Sequence, residues 1–103
     1  MPPHRVDFSS LAWESPMPGV RQKMVQDESR RLRLVEYSSQ MEPHWCEKGH
    51  FGYILDGRFE LEFDEGKTIF EPGDGVFIPD GHAHRHQARV LSDSVTVVFV
   101  ESV

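Results

Sequence analysis

The sequence predicts an all-β domain, folded as a two-sheet sandwich or barrel, and three observations carry that reading. The segment from Arg58 to Phe63 alternates, with Phe59, Leu61 and Phe63 on one face and Arg58, Glu60 and Glu62 on the other. A period of two is the mark of a half-buried strand. Turn signals recur at short intervals, at Asp56-Gly57, Asp64-Glu65-Gly66, Pro72-Gly73-Asp74-Gly75 and Pro79-Asp80-Gly81. Such punctuation suits many short strands rather than strands alternating with helices. No window of helical length carries apolar residues at three- and four-residue spacing.

Taken in order, the elements begin with the best helical candidate, Phe8 to Trp13, which Pro16 and Pro18 close off. Residues 1–18 are expected to form an N-terminal arm, loosely ordered or touching a partner chain. The arm belongs to a single domain over residues 1–103, a length that supports one hydrophobic core. Val20 to Val25 and Leu32 to Tyr37 read as strands separated by a turn at Asp27-Glu28-Ser29. The basic cluster Arg30, Arg31 and Arg33 reads as a solvated turn leading into the second of them. Phe51 to Leu55 is apolar on both faces, with Phe51, Tyr53 and Leu55 on one and Gly52 and Ile54 on the other. One face belongs in the interior, and the other needs cover from a second sheet or a partner chain, which suggests a homodimer. Asp56-Gly57 then reads as a hairpin turn into Arg58 to Phe63, because a type I′ turn requires positive φ at both positions. Val76 to Ile78, His82 to His86 and Ser94 to Val100 complete the strands.

Composition limits the function classes. The formal net charge is −6, so the basic footprint that displaces counterions from phosphate is missing and no nucleic-acid partner is expected. No apolar run approaches the ~20 residues that span a bilayer, and Met1 to Ser10 has no apolar signal-peptide core. There is one cysteine, Cys46, so no internal disulfide can form. Together these point to a cytoplasmic protein without a membrane partner. Phosphate-cradling loops, dinucleotide fingerprints and the nucleophile elbow are all missing from the sequence.

Chemistry concentrates in two short groups. Five of the six histidines lie between positions 44 and 86. The first group is His44-Trp45-Cys46-Glu47-Lys48-Gly49-His50 and the second is His82-Ala83-His84-Arg85-His86. On an extended strand, residues two apart share a face. His44 and Cys46 are therefore expected side by side, as are His82, His84 and His86. A single histidine near a strand end is usually just a hydrogen-bonded polar residue, and a buried free cysteine is usually core. Their clustering is what suggests a metal site.

The segment His44-x-Cys46-x₃-His50-x₆-Gly57 resembles the first cupin motif, with Cys46 where the family has its second His and His50 where it has Glu. Gly73-x₅-Pro79-x-Gly81-x₂-His84 resembles the second motif through its histidine, and Ala88 stands where the family has Asn. The resemblance implies a double-stranded β-helix, or jelly-roll, barrel. It implies one metal ion held by His44, His50 and His84, with Cys46 at a fourth ligand position. Imidazole and thiolate donors favour iron, zinc, nickel or copper over magnesium or calcium. His86 is a candidate for proton transfer. The resemblance points first to a dioxygenase-like enzyme acting on a small molecule, then to isomerase or lyase chemistry. The alternative is a non-catalytic small-molecule-binding or sensor barrel with a structural metal site, since four protein donors would close the metal's shell.

Overall fold

A computed structural model describes residues 4–103; the first three residues of the expected arm lie outside the described ones. Among these residues, nine strands form two antiparallel sheets. They are β1 (Glu14–Met17), β2 (Val20–Gln26), β3 (Arg30–Ser38), β4 (His50–Asp56), β5 (Phe59–Phe63), β6 (Gly66–Phe70), β7 (Gly75–Ile78), β8 (His86–Val90) and β9 (Ser94–Ser102). One sheet has the order β1-β2-β3-β9-β4-β7, and the other has the order β6-β5-β8. The result is a jelly roll made of two facing sheets rather than a closed hydrogen-bonded barrel. No helix among the described residues is long and apolar enough to cross a membrane.

Alternation places the core. On β9, Val95, Val97 and Phe99 are buried, while Thr96, Val98 and Val100 point outward. Val35 on β3 and Ile54 on β4 flank them, both fully buried. From the second sheet, Phe59 and Leu61 close the interior. Each such side chain withdrawn from water contributes roughly 1.5–3 kcal/mol. The longest pairing is β3 with β9, in register from Arg30 opposite Ser102 to Ser38 opposite Ser94.

Several local readings change in the structure. Phe8 to Trp13 forms only a single 3₁₀ turn at Phe8–Ser10, capped by the Asp7 side chain. Within the 1–18 arm, Glu14–Met17 pairs with β2. Lys23 Nζ donates to the Phe8 carbonyl at 2.8 Å, and the Arg21 guanidinium lies 4.2 Å from the centre of the Trp13 ring. Pro16 fits in β1 because this is an edge strand, where a missing N–H breaks no inner ladder.

Asp56-Gly57 does not close a hairpin. β4 pairs with β7 and β9, and β5 pairs with β6 and β8. A register shift between Ile54 and Asp56 bends the end of β4. Gly57 then carries the chain to the other sheet at φ 80°, where an added Cβ would lie 2.0 Å from the Ser94 carbonyl oxygen. The positive φ that suggested a reversal within one sheet serves a corner between two. The true hairpin is the next one, with Asp64-Glu65 between β5 and β6.

Candidate metal centre

The second histidine group does not begin as a strand. His82–His84 is a 3₁₀ turn, and β8 starts only at His86. This breaks the shared parity expected of the three histidines. His82 and His84 lie exposed on the turn, while His86 is buried at 4% exposure at the start of the inward row that continues with Ala88.

Cys46 meets His86 through the backbone. The Cys46 N–H donates to the His86 carbonyl at 2.8 Å, and the His86 N–H donates to the Cys46 carbonyl at 3.0 Å. This is an isolated antiparallel bridge, and directly opposed residues in such a pair project to the same side. His50 opens β4 on the inward face that continues with Gly52 and Ile54. Its ring stacks on Phe99 at 4.6 Å and meets the His86 ring edge-on at 5.1 Å. The donor atoms of Cys46, His50 and His86 all lie within 4.8 Å of one another.

The loops that carry these residues are tied together. Asp80 Oδ1 accepts from the Gly49 N–H at 2.6 Å, and Asp80 Oδ2 accepts from the Ser102 hydroxyl at 3.1 Å. The Gly81 N–H donates to the Glu47 carbonyl at 2.9 Å. An added Cβ at Gly49 would lie 2.2 Å from the Ile78 carbonyl oxygen, so glycine is what lets the two loops approach. His82 and Glu47 add an exposed contact at 2.9 Å between the same loops.

Both imidazoles of the group are oriented through Nδ1. His86 Nδ1 lies 3.1 Å from the His84 carbonyl oxygen, an acceptor that requires a proton on Nδ1. His50 Nδ1 contacts Glu101 Oε2. In each ring Nε2 remains as the nitrogen that could hold a metal. Burial works to lower the pKa of His50, but its hydrogen bonds with Cys46 and Glu101 outweigh burial and raise it. Hydrogen bonds with His50 first, then His86, hold the Cys46 thiol down to about 5. Burial pushes Glu101 upward, and its bonds to His50 and Arg33 bring it down to about 2. The two histidines thus favour the thiolate of Cys46, which is the ligand form of cysteine.

Of the residues singled out in the sequence, Cys46 and His50 fall in this group. His44 lines the same cavity but stands outside the group, exposed at its mouth. His84, the histidine of the second motif, is exposed and outside it, and enters the centre only through its carbonyl oxygen. His86, read as a proton-transfer candidate, is the second histidine of the group. The cavity holds about 60 Å³, walled mainly by apolar side chains including Met41, Leu61 and Phe99. Tyr37 also lines it, and burial pushes its hydroxyl up to about 12.

Sequence reasoning missed Glu101, Arg33 and Gln22. Glu101 continues the inward row of Val95, Val97 and Phe99, and its side chain is 1% exposed. Arg33 is in phase with Val35 and Tyr37, so it turns inward rather than sitting on a solvated turn. Its Nη2 donates to Glu101 Oε2 and its Nη1 to Gln22 Oε1, each at 2.8 Å. A charged residue in phase with an apolar row was the available signal.

Comparison with known proteins agrees with this architecture. No significant match exists among curated proteins. KdgF from a Halomonas species is similar over 91% of this chain and 89% of its own, at 26% identity and a TM-score of 0.75. The polyketide cyclase RemF from Streptomyces resistomycificus is similar over 95% of this chain and 78% of its own, at 24% identity and a TM-score of 0.74. An RmlC-like cupin from Shewanella frigidimarina is similar over 96% and 89%, at 16% identity and a TM-score of 0.75. The last two likenesses speak to the fold alone. The cupin domain family model matches residues 32–101, from the second residue after the start of β3 almost to the end of β9, and the chain belongs to the cupin family.

Proposed function

We propose that this cupin binds one divalent transition-metal ion through Cys46, His50 and His86 and presents it to a small molecule. The observation that carries the reading is the convergence of one sulfur and two imidazole nitrogens within 4.8 Å at the wall of an internal cavity. A mixed thiolate and imidazole set fits iron, zinc, nickel or copper. When bound, the metal would supply Lewis acidity or, for iron or copper, redox chemistry. Three protein donors leave a coordination position free, as in catalytic rather than structural zinc sites. The apolar walls limit water around that position, and His44 at the mouth is placed to meet an entering ligand. Dioxygenase-like oxidation and isomerase or lyase chemistry are the activities proposed for it.

A second reading, a non-catalytic sensor or metal-stabilised scaffold, draws on the size of the cavity. Ligand pockets typically enclose ~300–1,000 Å³, and about 60 Å³ admits only a few atoms. Elemental analysis of protein purified without added metal or chelator tests both. About one equivalent of iron, zinc, nickel or copper is expected, with a spectrum that changes when small oxygen- or nitrogen-bearing ligands are added to the Co²⁺-substituted form. A metal that is present but blind to such ligands supports the scaffold. A chain that holds none and takes up none overturns the proposal.

We also propose that the chain is a homodimer. The outer face of β4 and its neighbours presents Phe51, Tyr53 and Leu55, with Phe77 82% exposed beside them. Phe77, Phe51 and Val100 stand opposite one another across three strands, and the Phe51 and Phe77 rings touch edge-on at 4.7 Å. A continuous apolar row of this kind is the sort of surface that monomers avoid exposing.

A further inference from the structure

We infer that Glu101 is a positioning residue for the metal: it fixes which nitrogen of His50 faces the ion and places a negative charge behind that ligand. The inference rests on the metal reading above and assigns a role to a side chain that neither motif contains.

Among the described residues, Glu101 is the one buried carboxylate. It reaches the interior because β9 continues its alternation past Phe99. Oε2 contacts His50 Nδ1 and also accepts from Arg33 Nη2. Oε1 is buried without a hydrogen-bond partner, and so is Arg33 Nε. A buried carboxylate with one oxygen unsatisfied is a cost to folding. An apolar residue here would continue the row of Val95, Val97 and Phe99 without that cost.

The geometry gives the charge a use. A carboxylate can only accept, so His50 must carry its proton on Nδ1. Nε2 is then the ring nitrogen left for the metal, on the side where Cys46 and His86 lie. A carboxylate behind a ligating imidazole also raises its basicity. Charge accounting agrees: the Cys46 thiolate offsets one of the metal's two positive charges, and Glu101 lies one imidazole away from it. Arg33 holds the carboxylate in place from the other side, and Gln22 holds Arg33. His86 has only a neutral carbonyl on its Nδ1, so the charged support falls on His50 alone.

The test uses the full chain, stripped of metal and titrated with Co²⁺. Binding is followed by the thiolate-to-Co²⁺ charge-transfer absorption. The variants are Glu101→Gln, which keeps the shape and removes the charge, and Glu101→Gln with Arg33→Met, which removes both buried charges so that no guanidinium is left unpaired. Both should bind Co²⁺ roughly 10–100-fold more weakly than the parent, with the charge-transfer band still present because Cys46 remains a ligand. The double variant should melt near the parent when metal-free, which separates positioning from folding. Independently of any variant, long-range ¹H–¹⁵N spectra of the metal-free parent should show His50 protonated at Nδ1. A folded variant that binds Co²⁺ within twofold of the parent, or a His50 that carries no proton on Nδ1, overturns the role of Glu101 alone. A parent that takes up no Co²⁺ overturns the metal reading, and this role with it.

Discussion

At the scale of single residues, the centre depends on phase. Cys46 and His50 were legible because ligand-type residues at motif spacing stand out against a strand background. His86 was visible but ranked behind His84, because a 3₁₀ turn inside a histidine-rich loop leaves no mark in the sequence. Glu101 lay beyond the expected end of its strand, and Arg33 was masked by two neighbouring arginines. Two predictions belong here. Cys46→Ser should shift metal preference away from soft ions, seen as lost discrimination for Zn²⁺ over Mn²⁺ in competition titrations; unchanged discrimination would remove the thiol from the ligand set. The second concerns acid. Glu101 is held at about 2 in the folded chain, against an ordinary value of 4.5. A lowered carboxylate stabilises the fold fully above its unfolded value and loses that contribution as pH falls toward its folded value. The metal-free parent should therefore lose melting temperature between about pH 4.5 and pH 2 more steeply than the Glu101→Gln, Arg33→Met variant. Asp27 and Asp80 are also lowered, but both variants keep them, so the difference reports on Glu101. Equal slopes would contradict the assignment.

At the scale of elements, strands with clean alternation were the easiest to read. β5 and β9 were evident from Phe59, Leu61 and Phe63 and from Val95, Val97 and Phe99. β1 and β6 were not. Pro16 disguises the first, and the second is an exposed edge of Lys67, Thr68 and Ile69 with too little apolar pattern to register. The Asp56-Gly57 corner shows why a turn signal does not fix topology: the dipeptide encodes a backbone bend, and the partners of β4 are chosen by packing. Gly52 gives a direct test of that packing. It lies opposite Phe99, and an added Cβ would sit 1.9 Å from the Val98 carbonyl oxygen. Gly52→Ala should separate β4 from β9 locally and cost roughly 1–3 kcal/mol or more in denaturant unfolding, with weakened metal uptake because His50 leads the same strand. A change below about 0.5 kcal/mol would contradict the close approach.

At the scale of the molecule, the sandwich presents two apolar surfaces and fills only one of them. The inward surface is the core, and the outer surface of β9, β4 and β7 has no cover among the described residues. The sequence already showed that both faces of Phe51 to Leu55 are apolar, but not which one turns inward. The structure answers that with Ile54 inside and Phe51, Tyr53 and Leu55 outside. Analytical ultracentrifugation at micromolar concentration should find a dimer for the parent and a monomer for Phe77→Glu, with metal content unchanged because the centre lies on the opposite side of the sheet. A monomeric parent would remove the proposed partner.

In the proposed centre Cys46, His50 and His86 hold the metal, and the histidine of the second motif, His84, does not. The most direct measurement is metal content by elemental analysis of the parent, His84→Ala and His86→Ala, purified side by side. About one equivalent is expected in the parent and in His84→Ala, which keeps the carbonyl that orients His86, and a severe loss is expected in His86→Ala. Loss in His84→Ala with retention in His86→Ala would contradict it.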